Sequence, residues 1–220
     1  MQTLSALFNS ILDLLFPRRC LGCSAGGMLL CQECLAHIPP ATPAEHSFIK
    51  AVFDYRNKVI KRAVWRFKYE NVRGFAEVFA GSLYDEMIGT LGDGLHISQD
   101  EKFLLVPIPL HPVRLRERGY NQSELLARAV MKRDHEGIFE LAPGVLVRTR
   151  KTSTQARNEK RAERLKNLRG AFTCADPKRV RGRTIILLDD VTTTGATLLE
   201  AKLALARAHP REVLAFTVGH

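Results

Sequence analysis

The chain has 220 residues, 45% of them hydrophobic and 25% charged, which suffices for a real core in one domain, with or without a small appendage. The net charge of +10 is localised: residues 148–183 hold thirteen Lys and Arg against three acids, whereas residues 1–100 hold ten of each. Such a segment points to an anionic partner, phosphate or nucleic acid, with a solvated basic face as the plain alternative, and no apolar stretch reaches the roughly 20 residues that a membrane span needs.

In chain order, Leu4–Phe16 (LSALFNSILDLLF) has apolar residues at 4, 7, 8, 11, 12 and 15, the spacing of an amphipathic helix. It lacks a basic leader and a small-residue cleavage site, so a cytoplasmic protein is expected. Next come Cys20, Cys23, Cys31 and Cys34, two C-x-x-C pairs that can supply four thiolates to one tetrahedral Zn²⁺. Gly22, Gly26 and Gly27 offer tight turns between them. Disulfides are the alternative, and the absence of a secretion signal favours zinc. Four thiolates leave no open position, so the site reads as structural, with His37 a bystander and Cys174 a lone thiol. A Pro-containing exit (IPPATPAEH) closes a first region, 1–47, and 48–220 forms the second.

That second region begins with a strand, FIKAVF, and two helix candidates, NKVIKRAVWRFKYE and VRGFAEVFAGSLYDEMIG, followed by a turn at Gly92–Gly94. Beyond residue 101 the pattern alternates: strand Phe103–Ile108, helix Asn121–Lys132, strand Gly144–Val147, the basic segment, strand Thr184–Leu188, helix Ala196–Ala208 and strand Glu212–Val218. This predicts an α/β fold with a parallel sheet that binds ligands at the carboxyl ends of its strands.

The chemistry concentrates in IILLDDVTTTGATLLEA, residues 185–201. A doubly covered strand ends on Asp189 and Asp190, and Val191, Thr192, Thr193, Thr194, Gly195, Ala196 and Thr197 lead into a helix. A strand–loop–helix turn aims backbone N–H groups and the positive end of a helix at one point. Gly195 permits close approach, and Thr193, Thr194 and Thr197 offer hydroxyls. No Gly-Lys-Ser/Thr or G-x-G-x-x-G accompanies the loop, which excludes two common nucleotide motifs. The set suits a ribose 5-phosphate, with phosphate in the loop and diol on the acids. A plain Thr-rich helix cap is the alternative, but a cap needs one such residue, not two acids and four threonines.

DDVTTTGAT resembles the phosphoribosyl pyrophosphate (PRPP) signature of type I phosphoribosyltransferases. VPIPLHPVRLRERGYNQ (106–122), the RTRKTSTQ, RLKN and GAF stretches within 148–172, and the four cysteines together resemble the ComF family of competence-associated, phosphoribosyltransferase-like proteins. Asn158 departs from the pattern, standing where an aliphatic residue is common. The resemblance implies a type I phosphoribosyltransferase fold, a mainly parallel sheet flanked by helices, with a small N-terminal zinc ribbon built on the four cysteines. It implies that Asp189 and Asp190 hold the ribose hydroxyls, directly or through Mg²⁺, and that 191–197 cradle the 5-phosphate. Pro109, Leu110, His111, Arg114, Arg116 and Arg118 would face pyrophosphate. The segment with Arg148, Arg150, Lys151, Gln155, Arg157, Arg161 and Arg164 would form a hood or contact DNA. Asn121 would cap the following helix.

The resemblance further implies a role in natural transformation and DNA uptake. The implied partners are PRPP, single-stranded DNA and competence proteins such as a DNA-translocating helicase. Tyr55, Trp65, Phe67, Tyr69 and Tyr120 lie among basic residues and could stack on bases, though core packing is the expectation for Trp65 and Phe67. A metabolic phosphoribosyltransferase, of salvage or amidophosphoribosyltransferase type, and a non-catalytic PRPP sensor remain as alternatives. The residues name no acceptor and no general base.

Overall fold

The computed structural model describes residues 18–92, 102–149 and 170–220. The helix expected over Leu4–Phe16 and the basic residues Arg150, Lys151, Gln155, Arg157, Arg161 and Arg164 lie outside the described residues. The elements are α1 (Gln32–Ala36), β1 (Ile49–Phe53), α2 (Lys58–Tyr69), α3 (Phe75–Gly92), β2 (Phe103–Pro107), α4 (Pro112–Arg118) and α5 (Gln122–Met131). They continue with β3 (Phe139–Leu141), β4 (Leu146–Arg148), β5 (Phe172–Cys174), α6 (Pro177–Val180), β6 (Thr184–Val191), α7 (Ala196–Ala206) and β7 (Glu212–Gly219).

Five strands form a parallel sheet in the order β1-β7-β6-β2-β3, as the alternating pattern predicted. Both central apolar runs are buried: every residue of β2, and Ile185–Leu188 of β6. Side chains alternate across a strand. Accordingly Ile186 and Leu188 pack with Phe67, Phe79, Leu126 and Phe216 on one face. Ile185 and Leu187 pack with Leu198, Leu205, Leu146 and Phe172 on the other. The sheet is thus a middle layer, and only its strand ends are free to hold ligand. β4 and β5 form a separate antiparallel ribbon.

Local chemistry explains the edges. Asn57 caps α2 by accepting from the Val59 and Ile60 N–H groups, and the helix buries Ile60, Ala63, Val64 and Phe67. Trp65 falls on the opposite face and is 51% exposed, which corrects the expectation that it packs in the core. α3 ends at Gly92, and the rest of the turn expected at Gly92–Gly94 lies outside the described residues. The cysteine region joins the same core: Cys20, Leu30 and Ile38 pack with Phe53 and Phe67, and Pro40 bridges to Phe53. Among the described residues no helix is long and apolar enough to cross a membrane.

Candidate functional site

β6 carries its apolar run straight into Asp189 and Asp190, which are strand residues rather than loop residues. Alternation sends the two carboxylates to opposite sides, and each finds a different partner. Asp189, partly exposed, accepts a hydrogen bond from the Ser123 hydroxyl at 2.8 Å. Asp190, buried, is ion-paired with Lys68 Nζ at 2.9 Å. Ser123 stands in the first turn of α5, where Asn121 caps the helix and ties back to the Ile108 carbonyl. Lys68 comes from the last turn of α2. Burial and the adjacent Asp190 charge push Asp189 up to about 7. Burial works against the Lys68 charge, but Asp190, and Asp189 behind it, more than offset this and raise the ammonium above the usual lysine range.

Behind the acids, Gly195 adopts φ +72° and opens α7. A Cβ there would meet His46 Cδ2 at 2.8 Å and Ile49 Cδ1 at 2.9 Å, so both conformation and space require glycine. The threonines divide their work. Thr192 is buried and accepts from the Gly195 N–H, and Thr194 accepts from the Ala196 N–H. Thr193 is exposed and Thr197 half-buried at the helix start. Both hydroxyls thus accept within the loop and keep their own protons to donate. His220, which sequence reasoning missed, lies 3.2 Å from the Thr193 carbonyl and 3.3 Å from that of Thr42.

The expected pyrophosphate side is only partly gathered. His111 caps α4 by accepting from Val113 N–H, which fixes the turn that holds Pro109 and Leu110. Arg148, at the end of β4, lies over the Phe172 ring at 5.3 Å. Burial and the nearby Arg114 charge lower Arg148, while Asp189 opposes them, so Arg114, Arg148 and Asp189 share one neighbourhood. Arg116 points to solvent. Arg118 is turned to Gln122 Oε1 at 3.0 Å and over the Tyr69 ring at 5.0 Å.

A divalent cation on Asp190 would have to share that carboxylate with the Lys68 ammonium. Asp190 Oδ1 already takes the Lys68 ammonium and the Val191 N–H, and Asp189 Oδ1 takes the Ser123 hydroxyl and the Asp190 N–H.

The cysteines behave differently. The ligand atoms of Cys20, Cys23, Cys31 and Cys34 all lie within 4.8 Å of one another. Cys31 Sγ is 3.6 Å from Cys20 Sγ and 3.7 Å from Cys23 Sγ. Tetrahedral Zn–S bonds of about 2.3 Å place sulfurs about 3.8 Å apart, so the quartet has the dimensions of a metal site and not of disulfides. A Cβ on Gly22 would lie 2.5 Å from Cys34 Sγ, which explains that glycine. Burial would raise the Cys20 thiol, but hydrogen bonds from backbone N–H groups, those of Cys31 and Gly22 among them, outweigh it and lower the thiol to about 6. The contact with Cys31, and then burial, push Cys34 up to about 12.

No protein-family model matches the chain. Competence protein ComFC of Bacillus subtilis is 32% identical over 173 residues, 77% of this chain and 62% of that protein. ComFC of Streptococcus pneumoniae is 28% identical over 86% of this chain and 74% of that protein. The DNA utilization protein YhgH of Escherichia coli K12 is 37% identical over 47% of this chain and 43% of that protein. The chain is similar in sequence to these competence and DNA utilization proteins. It spans 62% of the length of the Bacillus relative. In fold, the chain is loosely similar to Trypanosoma cruzi hypoxanthine phosphoribosyltransferase, at 13% identity and a TM-score of 0.38 over 68% of this chain and 65% of that one, a likeness too loose to give any residue a role.

The chain also has an exposed aromatic pair on α2. Trp65 and Tyr69, four apart on α2, have ring centroids 6.0 Å apart and are 51% and 61% exposed. Phe67 and Tyr120 are instead buried, with the Tyr120 hydroxyl donating to the Phe67 carbonyl. Tyr55 packs against the core and close to Gly219.

Proposed function

We propose that this protein binds PRPP at the carboxyl end of β6 and acts on single-stranded DNA during DNA uptake. The observation that carries the ligand reading is the sequence of parts at one strand end: Asp189 with Asp190, then the threonine loop, then the start of α7. In this reading Asp189 receives the ribose diol, Thr193, Thr197 and the free N–H groups of the loop hold the 5-phosphate, and Arg114 and Arg148 face the diphosphate. Pro109, Leu110 and His111 shape that side, and Arg116 and Arg118 flank it. Mg²⁺ then belongs on the diphosphate of the ligand, outside the acid pair. The competence role follows from relatives named competence and DNA utilization proteins. We assign Zn²⁺ to the cysteine quartet, residues 1–47 to a zinc module on a 48–220 phosphoribosyltransferase-like domain, and the protein to the cytoplasm.

The DNA reading rests on charge and aromatics together. Phosphates would follow the basic segment, and bases would stack on Trp65 and Tyr69, with Arg118 adding cation–π attraction. Competence proteins, a DNA-translocating helicase among them, are the partners this role calls for.

Calorimetry with PRPP tests the site. Wild type should bind, and Asp189→Asn/Asp190→Asn should lose binding by at least about tenfold; equal affinity in the double variant overturns the assignment. Binding of a labelled oligothymidylate should weaken steeply with added salt and fall in Trp65→Ala/Tyr69→Ala. A salt-independent signal, or one indifferent to both aromatics, overturns the DNA surface.

A further inference from the structure

We propose that Lys68 is the resident cation of the acid pair, holding Asp190 where a divalent ion would otherwise sit, so that the pair meets its ligand without a metal between them. The contact is removed from water. The Lys68 and Asp190 side chains are 19% and 10% exposed at a separation of 2.9 Å, so this is no screened surface pair. Lys68 is also held in place. Its neighbour Phe67 is fully buried, and the Tyr120 hydroxyl donates to the Phe67 carbonyl, which pins the last turn of α2 over the strand end.

Mg²⁺ and Mn²⁺ bind through carboxylate oxygens in near-octahedral shells that retain waters. Such a shell on Asp190 would have to displace the ammonium or stand beside it, cation against cation. Lys68 meets the same electrostatic need at no such cost. An ammonium has three donors and no acceptor. One is on Asp190, and the others remain for hydroxyl or phosphate oxygens. The second half of the proposal, that the ligand is a sugar phosphate, rests on the reading above, and the test separates the two halves.

The first measurement uses Mn²⁺ alone, followed by electron paramagnetic resonance on the zinc-loaded full chain. Wild type should show no Mn²⁺ site below millimolar concentration. Lys68→Met should gain one site at least about tenfold tighter, and Lys68→Met/Asp190→Asn should lose it again. A wild-type Mn²⁺ site that Asp190→Asn abolishes would overturn the proposal, as would a folded Lys68→Met variant with no gain.

The second measurement needs no variant. Ribose 5-phosphate, which carries no diphosphate, should bind wild type equally in EDTA and in millimolar Mg²⁺, within about twofold. Dependence of about tenfold on Mg²⁺ would overturn the role of Lys68. If wild type bound ribose 5-phosphate under neither condition, the sugar-phosphate reading would fall, and the Mn²⁺ result would still decide whether Lys68 excludes the metal.

Discussion

The cysteine quartet and the acid pair both gather ionisable groups, and the protein partners the two sets differently. In the quartet the four sulfurs face one another, and Cys31 and burial push the Cys34 thiol up to about 12. The acid pair brings its own cation on α2. One cluster has the dimensions of a metal site, and the other already holds a lysine ammonium. The lesson is that a constellation of potential ligands reads as a metal site only after the neighbouring positive charges are counted.

Four perturbations should break or sharpen that contrast, with the largest effect at the cysteines. Structural zinc contributes folding energy directly, so Cys31→Ser should cost on the order of 3–5 kcal/mol and release zinc to a colorimetric chelator. Unchanged melting and full zinc content would show that the quartet does not depend on a metal. Next, Asp190→Asn strands Lys68 in a mostly buried setting, at about 3 kcal/mol. Lys68→Met/Asp190→Asn should regain most of that in urea unfolding. A double variant as unstable as the single would mean that the two residues act separately.

Smaller effects follow at Ser123 and Glu140. Ser123→Ala removes the hydroxyl that stabilises the Asp189 charge, and ribose 5-phosphate affinity should drop by about 1.5 kcal/mol. Asp189 is held at about 7, whereas an unfolded aspartate titrates near ~4. Its favourable contribution to stability is thus full below about pH 4 and fades as pH rises through about 7. Ligand affinity, which needs the carboxylate, should rise over that upper range in calorimetry, and in Ser123→Ala the rise should move to higher pH. A flat profile would remove Asp189 from the ligand site. The smallest effect is at Glu140, which meets Arg179 at 2.6 Å and Arg183 at 2.9 Å and is held below the usual glutamate range by Arg183 first and Arg179 second. Its stabilisation is present above the ordinary glutamate pKa and is lost as pH falls through the lowered one. Being partly exposed, it should cost no more than about 1 kcal/mol as Glu140→Gln; acid unfolding identical to wild type would discount the cluster.

The strand end and the cysteine quartet were legible because each is written in adjacent or closely spaced residues. Apolar runs mark β2 and β6, and C-x-x-C spacing brings sulfurs together through local turns. Lys68 and Ser123 were not legible. They meet the acids across 122 and 66 positions of chain, and Lys68 is one of five basic residues on α2, with nothing local to distinguish it. The one accessible signal was rotational: with Ile60, Ala63, Val64 and Phe67 inward, Lys68 falls beside the buried stripe and Trp65 and Tyr69 fall outside it. β3 and β5 are three residues each, too short for periodicity to register. Arg118 was expected toward a ligand; its pairing with Tyr69 depends on two helices meeting, which no linear pattern records.

Gly195 sits against His46 and Ile49 with no room for one more carbon. The loop is therefore backed by the segment that leads into β1 and has nothing to fold open into on that side. If the loop holds phosphate as proposed, exchange there should be set by diffusion and the surrounding field rather than by movement of the loop toward β1. Association would then be fast, above roughly 10⁶ M⁻¹s⁻¹, and slowed by salt.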